Sequence, residues 1–182
     1  GLARALAPDP QVRDRRRAII TAPASVRSVG EAVMAADRLL ETAKAQADAQ
    51  VSERNAREKA ELMRQLGMDE GESATKASRT MIRQLEEDQK RRSKRALTDA
   101  IDRALIDLLA IYRDVLMVQV GGDGELINTD LSDLVHEIAQ DSTPRQTLAR
   151  VDHIETARKR LVSNGNPLLV LEDMAISLRP QA

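Results

Sequence analysis

The chain has 182 residues, a formal net charge of -1, 42% hydrophobic residues and no cysteine. That length and apolar content suffice for a packed core, and the nearly balanced charge leaves no global field to draw the whole chain onto nucleic acid or an acidic membrane. A disulfide framework, a thiolate metal site and a cysteine nucleophile are excluded, and the lack of thiols fits a reducing cytoplasm.

Tyr112 is the only aromatic residue. The core therefore falls to Leu, Ile, Val, Met and Ala, which favours an all-α fold over a sheet. Stacking platforms for single-stranded nucleic acid are missing for the same reason. No run of about 18 apolar residues spans a membrane, and no signal sequence opens the chain. The start on Gly1, inside an apparently helical GLARALA, reads as a fragment of something longer.

Prolines stand at 8, 10, 23, 144, 167 and 180, leaving a long interval rich in Ala, Glu, Arg, Gln and Leu. A short first helix stops at Pro8, Asp9-Pro10 opens a second, and Pro23 breaks it. At Ser28 the sequence SVGE offers a capping box between Ser28 and Glu31. From there Val33, Ala36, Leu40, Ala43, Ala47 and Val51 form an apolar row, and Gly67 is placed to end the helix in a left-handed cap. The middle of this helix is mostly Ala and charge, which reads as an exposed arm.

A second long helix runs through Met81, Ile82 and Leu85 into Leu97, Ile101, Leu105, Leu108, Leu109, Tyr112, Leu116 and Val120, at steps of three and four. Gly121, Gly122 and Gly124 end it. Three shorter helices follow, capped by Asp130, by Thr143-Pro144 with Gln146 completing a capping box, and by Asn166-Pro167. No segment alternates as a strand does.

Catalytic signals are poor. His136 lacks the second histidine four residues on that a zincin helix requires, because that position is Gln140. Asp133 and His136 resemble half of a di-iron carboxylate motif, which needs two Glu-x-x-His units and further Glu residues facing one bundle core, and His153 lies in a charged helix. No phosphate-binding loop of the G-x-x-x-x-G-K-[ST] type occurs. No cofactor, metal ligand set or catalytic residue is assigned.

The densest basic run is Lys90, Arg91, Arg92, Lys94 and Arg95. Arg91, Arg92 and Arg95 are candidate phosphate contacts. The competing reading pairs Glu86 with Lys90, Glu87 with Arg91 and Asp88 with Arg92 on a solvated helix, and that acid-before-base spacing favours it.

Taken in order, Tyr112-Arg113-Asp114, Leu126-Ile127-Asn128 and Asn164-Gly165-Asn166-Pro167 running into Leu171-Glu172 resemble the C-terminal region of bacterial δ′ clamp-loader subunits of DNA polymerase III. The opening residues 1–26 similarly resemble the end of the lid of an AAA+ module. The excess of Arg over Lys, 22 to 6, suggests an actinobacterial source.

The resemblance implies a non-hydrolysing subunit whose helical collar domain, here 27–182 with a long charged arm at about 47–95, packs against the ATPase (τ/γ) and δ subunits. It implies contact with DNA only indirectly or weakly and none with membrane. Leu105, Leu108, Leu109, Tyr112, Leu168, Leu169 and Leu171 are the core and interface candidates, joined by Arg113, Asp114, Asn166 and Glu172 from the shared motifs. Two other readings stand beside this one: a stand-alone helical adaptor or coiled-coil scaffold, and a nucleic-acid-binding helical protein using the basic runs.

Overall fold

The computed structural model describes Arg17, Thr21, Val26 and residues 28–67, 75–122 and 124–179. The lid reading for 1–26 thus lies outside the described residues, apart from three positions. From residue 28 on, the described residues form five α-helices: α1 Val29–Gln65, α2 Lys76–Gln119, α3 Ser132–Gln140, α4 Pro144–Val162 and α5 Pro167–Ser177, with a 3-10 turn at Thr129–Leu131. The fold is all-α, and there is no strand among the described residues.

The helix ends follow local chemistry. Ser28 Oγ accepts from the Glu31 amide at 3.2 Å and a Glu31 carboxylate oxygen accepts from the Ser28 amide at 3.2 Å. This reciprocal pair satisfies end donors that an uncapped helix leaves open. Thr143 and Gln146 repeat the arrangement at the start of α4, and Asn166 caps α5 by accepting from the Leu168 and Leu169 amides. Gly67 at φ 64° and Gly121 at φ 66° take the left-handed conformation that follows a helix, which costs glycine least.

One cap differs from expectation. Asp130 does not cap α3; it sits inside the 3-10 turn, and Leu131 precedes the helix without a side-chain cap bond. The Leu131 amide instead donates to the Asn128 carbonyl at 3.0 Å, so α3 starts from a turn anchored at Asn128.

The chain divides into two units, residues 1–41 with 101–182, and residues 42–100. In the first, α2 buries Ile101, Leu105, Leu108, Ile111, Tyr112 and Val115, and α3, α4 and α5 bury Val135, Ile154, Leu161, Leu171 and Met174, among others. Each fully buried side chain of this size contributes about 2 kcal/mol of transfer free energy. Val120, expected on the same stripe, lies past the end of α2 and is 66% exposed.

The second unit is an antiparallel pair of helical segments. Ala47, Val51 and Ala96 are buried together with Leu97 against them. Beyond that cluster the contact turns polar. Gln89 donates to the Asn55 carbonyl at 2.9 Å, and Arg92 Nη1 donates to Asn55 Oδ1 at 2.7 Å and to Glu58 Oε2 at 2.8 Å. Lys59 reaches Glu86 at 3.1 Å.

Candidate subunit interface

Two of the shared motifs are brought together in the first unit by one buried carboxylate. Asp114, on the same helix as the core stripe, is fully buried. Its Oδ2 accepts from the Asn128 amide and from Asn128 Nδ2, both at 2.8 Å. Its Oδ1 accepts from the Ile127 amide at 3.1 Å and from Arg113 Nη1 at 2.7 Å. Arg113 also donates to the Glu125 carbonyl at 3.2 Å.

Burial pushes the Asp114 carboxyl upward, but the bonds from Asn128, Arg113 and Ile127 outweigh it and hold the group below its ordinary range. The Tyr-Arg-Asp and Leu-Ile-Asn motifs are thus two halves of one clamp that fixes the loop after α2.

Tyr112 turns into the core, where burial raises its hydroxyl pKa against the partial opposition of Arg150. The Arg150 guanidinium lies 6.0 Å from the ring centroid, within cation–π range.

The Asn-Gly-Asn-Pro motif is explained position by position. Asn164 takes φ 62°, a region that Asn tolerates better than most residues. A side chain at Gly165 would meet the Arg160 carbonyl oxygen at 2.8 Å and Val170 Cγ2 at 2.9 Å, so only glycine fits. Asn166 caps α5 and Pro167 takes its first position. The motif therefore sets how α5 leaves α4. Arg160, paired with Asp173, ties the two helices together, and Arg158 grips Asp102 of α2 at 2.7 Å and 3.2 Å. Asp102 in turn raises the Arg158 pKa.

With the core closed in this way, the candidates sort into two groups. Leu105, Leu108, Tyr112 and Leu171 are interior residues, and a partner cannot touch them while the unit is folded. Leu109, Leu168 and Glu172 are half-buried, and Asn166 is exposed. Leu169 is 62% exposed, and Val162, absent from the sequence-derived candidates, is 77% exposed. Both flank the Asn-Gly-Asn-Pro turn. Val162 escaped notice because it follows a charged stretch, Arg158-Lys159-Arg160, instead of standing in an apolar run.

Val162 also lines a shallow cleft of about 520 Å³ with Asp102, Glu155, Arg158, Lys159 and Ser163. Exposed apolar side chains beside a closed core and a charged rim are the arrangement seen at protein contact surfaces.

The basic run stands otherwise than its spacing predicts. Glu87 pairs with Arg83, Asp88 with Arg91, and Glu86 with Lys59. Of the expected pairs, that to Arg92 is replaced because Arg92 is drawn to Asn55 and Glu58 on the facing segment, and that to Lys90 because Lys59 of the same segment takes Glu86. Glu58, hydrogen-bonded first to Arg92 and then to Arg54, has its carboxyl pKa lowered to about 2. Arg92 is thus half-buried within the pair, whereas Arg91 and Arg95 are exposed.

Among the described residues no group of three or more His, Asp or Glu side chains is placed to hold a metal ion. His136 Nδ1 lies 2.8 Å from the Ser132 carbonyl of its own helix. No described helix is long and apolar enough to cross a membrane.

The family model described as "DNA polymerase III, delta subunit, C terminal" matches residues 72–179. A curated protein of Bacillus subtilis, DNA polymerase III subunit delta', is 36% identical over 72 residues, which are 40% of this chain and 22% of that protein. The match thus spans about a fifth of the relative's length. No solved structure matches.

Proposed function

The chain belongs to the family of C-terminal domains of the DNA polymerase III delta subunit, and from that premise we propose that it is a non-catalytic assembly domain of a δ′ clamp-loader subunit. In this reading residues 27–182 pack with the ATPase (τ/γ) and δ subunits in a helical collar, residues 1–26 end an AAA+ lid, and the complex loads the sliding clamp in the cytoplasm. In this reading the domain meets DNA only indirectly or weakly.

The observation that carries the reading is the pair Val162 and Leu169, exposed on either side of the turn that joins α4 to α5. Their apolar surface gains nothing inside the unit and gains much if a partner helix covers it. Leu109, Leu168 and Glu172 border that role as half-buried neighbours in sequence or on the adjoining helices.

The test is co-purification of the full-length subunit with the δ and ATPase subunits of the same organism. The change Leu169→Asp with Val162→Asp should weaken assembly by about thirtyfold or more while leaving helicity and melting unchanged, because both sites are exposed. Tyr112→Ala should weaken assembly only through a lowered stability of the fold, seen as a lower melting temperature. Wild-type assembly by the double variant would favour the stand-alone helical adaptor.

A further inference from the structure

The second unit carries a charged feature outside the apolar surface on which the assembly reading rests. From Lys76 to Arg95 the sequence has eight basic residues against three acidic ones. All three acids are engaged: Glu86 with Lys59, Glu87 with Arg83 and Asp88 with Arg91. Arg92 is turned inward to Glu58.

Lys76, Arg79, Arg83, Lys90 and Lys94 are all exposed. Their spacings of three, four, seven and four residues place them along one face of α2, opposite the inward line of Ile82, Leu85, Gln89, Arg92 and Ala96. At about 1.5 Å per residue this stripe is about 27 Å long. At its start, Lys76, Arg79, Thr80 and Arg83 line one open surface depression of about 420 Å³.

We propose that this outward face of α2, through Lys76, Arg79, Arg83, Lys90 and Lys94, binds the phosphate backbone of duplex DNA without regard to sequence. A row of cations repeating at each turn or two of a helix suits a rod that presents regularly spaced negative charge. Contacts of cations with phosphate oxygens fix position along the duplex and carry no sequence information.

Two other polyanionic partners fit less well. An anionic membrane calls for apolar side chains beside the cations to enter the interface, and here Ile82 and Leu85 are half-buried on the other side of the helix. An acidic protein surface ordinarily needs a buried apolar anchor at its centre, and the stripe offers none. The stripe differs from the sequence candidates Arg91, Arg92 and Arg95: Arg92 is half-buried against Glu58, and Arg91 and Arg95 fall off the line of Lys76, Arg79, Arg83, Lys90 and Lys94. The Arg83 pair with Glu87 is exposed and leaves the guanidinium in solvent.

The experiment is fluorescence anisotropy of a labelled mixed-sequence duplex titrated with the full chain at stepped salt concentrations. Wild type should bind with a dissociation constant that rises steeply with salt, and a second duplex of unrelated sequence should bind equally. The variant with Lys76→Gln, Arg79→Gln, Arg83→Gln, Lys90→Gln and Lys94→Gln should bind at least about tenfold more weakly at low salt. Its log-log salt slope should be shallower by about 0.9 for each phosphate that is no longer neutralised.

A companion carrying Lys76→Arg, Arg79→Lys, Arg83→Lys, Lys90→Arg and Lys94→Arg should retain binding, which separates charge from any fault in folding. Arg57→Gln with Arg64→Gln, both exposed on α1, should bind as wild type does. The proposal is overturned by absence of salt-dependent binding, by an equal loss in the Arg57 and Arg64 variant, or by tighter binding to anionic vesicles than to the duplex.

Discussion

The two units of this chain are built from the same helix-forming residues but hold together differently. The unit of 1–41 and 101–182 closes over fully buried aliphatic side chains and one buried carboxylate with four donors. In the 42–100 unit the small cluster of Ala47, Val51 and Ala96 gives way to a layer of Asn55, Glu58, Gln89 and Arg92. Burial of large apolar surface stabilises a fold strongly, whereas exposed and half-exposed ion pairs add little and serve mainly to fix register. The first unit should therefore carry the stability of the chain, and changes in the second should be felt weakly.

The largest effect should come from Tyr112→Ala, which empties a fully enclosed site and should lower unfolding free energy in urea by about 4 kcal/mol. An effect under about 1 kcal/mol would mean that the core does not depend on this ring. Next comes Asp114→Ala, which strands the amides of Asn128 and Ile127. A loss of roughly 3 kcal/mol, accompanied by faster amide exchange at both positions, is the expected result. Asn166→Ala should cost about 1 kcal/mol, with fraying confined to the start of α5 in exchange or relaxation data.

The smallest effect belongs to the second unit and is read by pH. The Glu58 carboxyl is held at about 2 against an ordinary 4.5, so its contribution is complete above about 4.5 and fades as acid titrates it toward 2. Exchange protection around Asn55 and Gln89 should decline across that window in wild type. Glu58→Gln should abolish that decline, and a decline centred instead near neutral pH would contradict the assignment.

Much of this architecture is legible in sequence where the deciding interactions are local. The boxes of Ser28 with Glu31 and Thr143 with Gln146, the cap at Asn166 and the left-handed glycines at 67 and 121 all involve residues within a few positions of each other. The errors arise where a distant residue wins. Asp130 loses the cap because Asp114 anchors Ile127 and Asn128 from the preceding helix. Of the i,i+4 pairs of the basic run, Asp88 with Arg92 gives way to Asn55 and Glu58 and Glu86 with Lys90 gives way to Lys59, all from the facing segment.

The exposed apolar surface proposed as an interface is half legible in sequence for a third reason. An aliphatic run such as Leu168-Leu169-Val170-Leu171 shows no stripe, so its pattern cannot tell the buried Leu171 from the exposed Leu169.

The central claim is that, within the proposed collar domain of 27–182, the contacts with other subunits are made by the residues of the first unit and not by the helical pair. Amide hydrogen exchange of the full-length subunit, alone and assembled with the δ and ATPase subunits in the absence of DNA, tests it most directly. The account predicts new protection across the α4–α5 junction, from Val162 to Leu169, and none on the outward face of 76–95. Protection confined to 42–100 with an unchanged α4–α5 junction would contradict it.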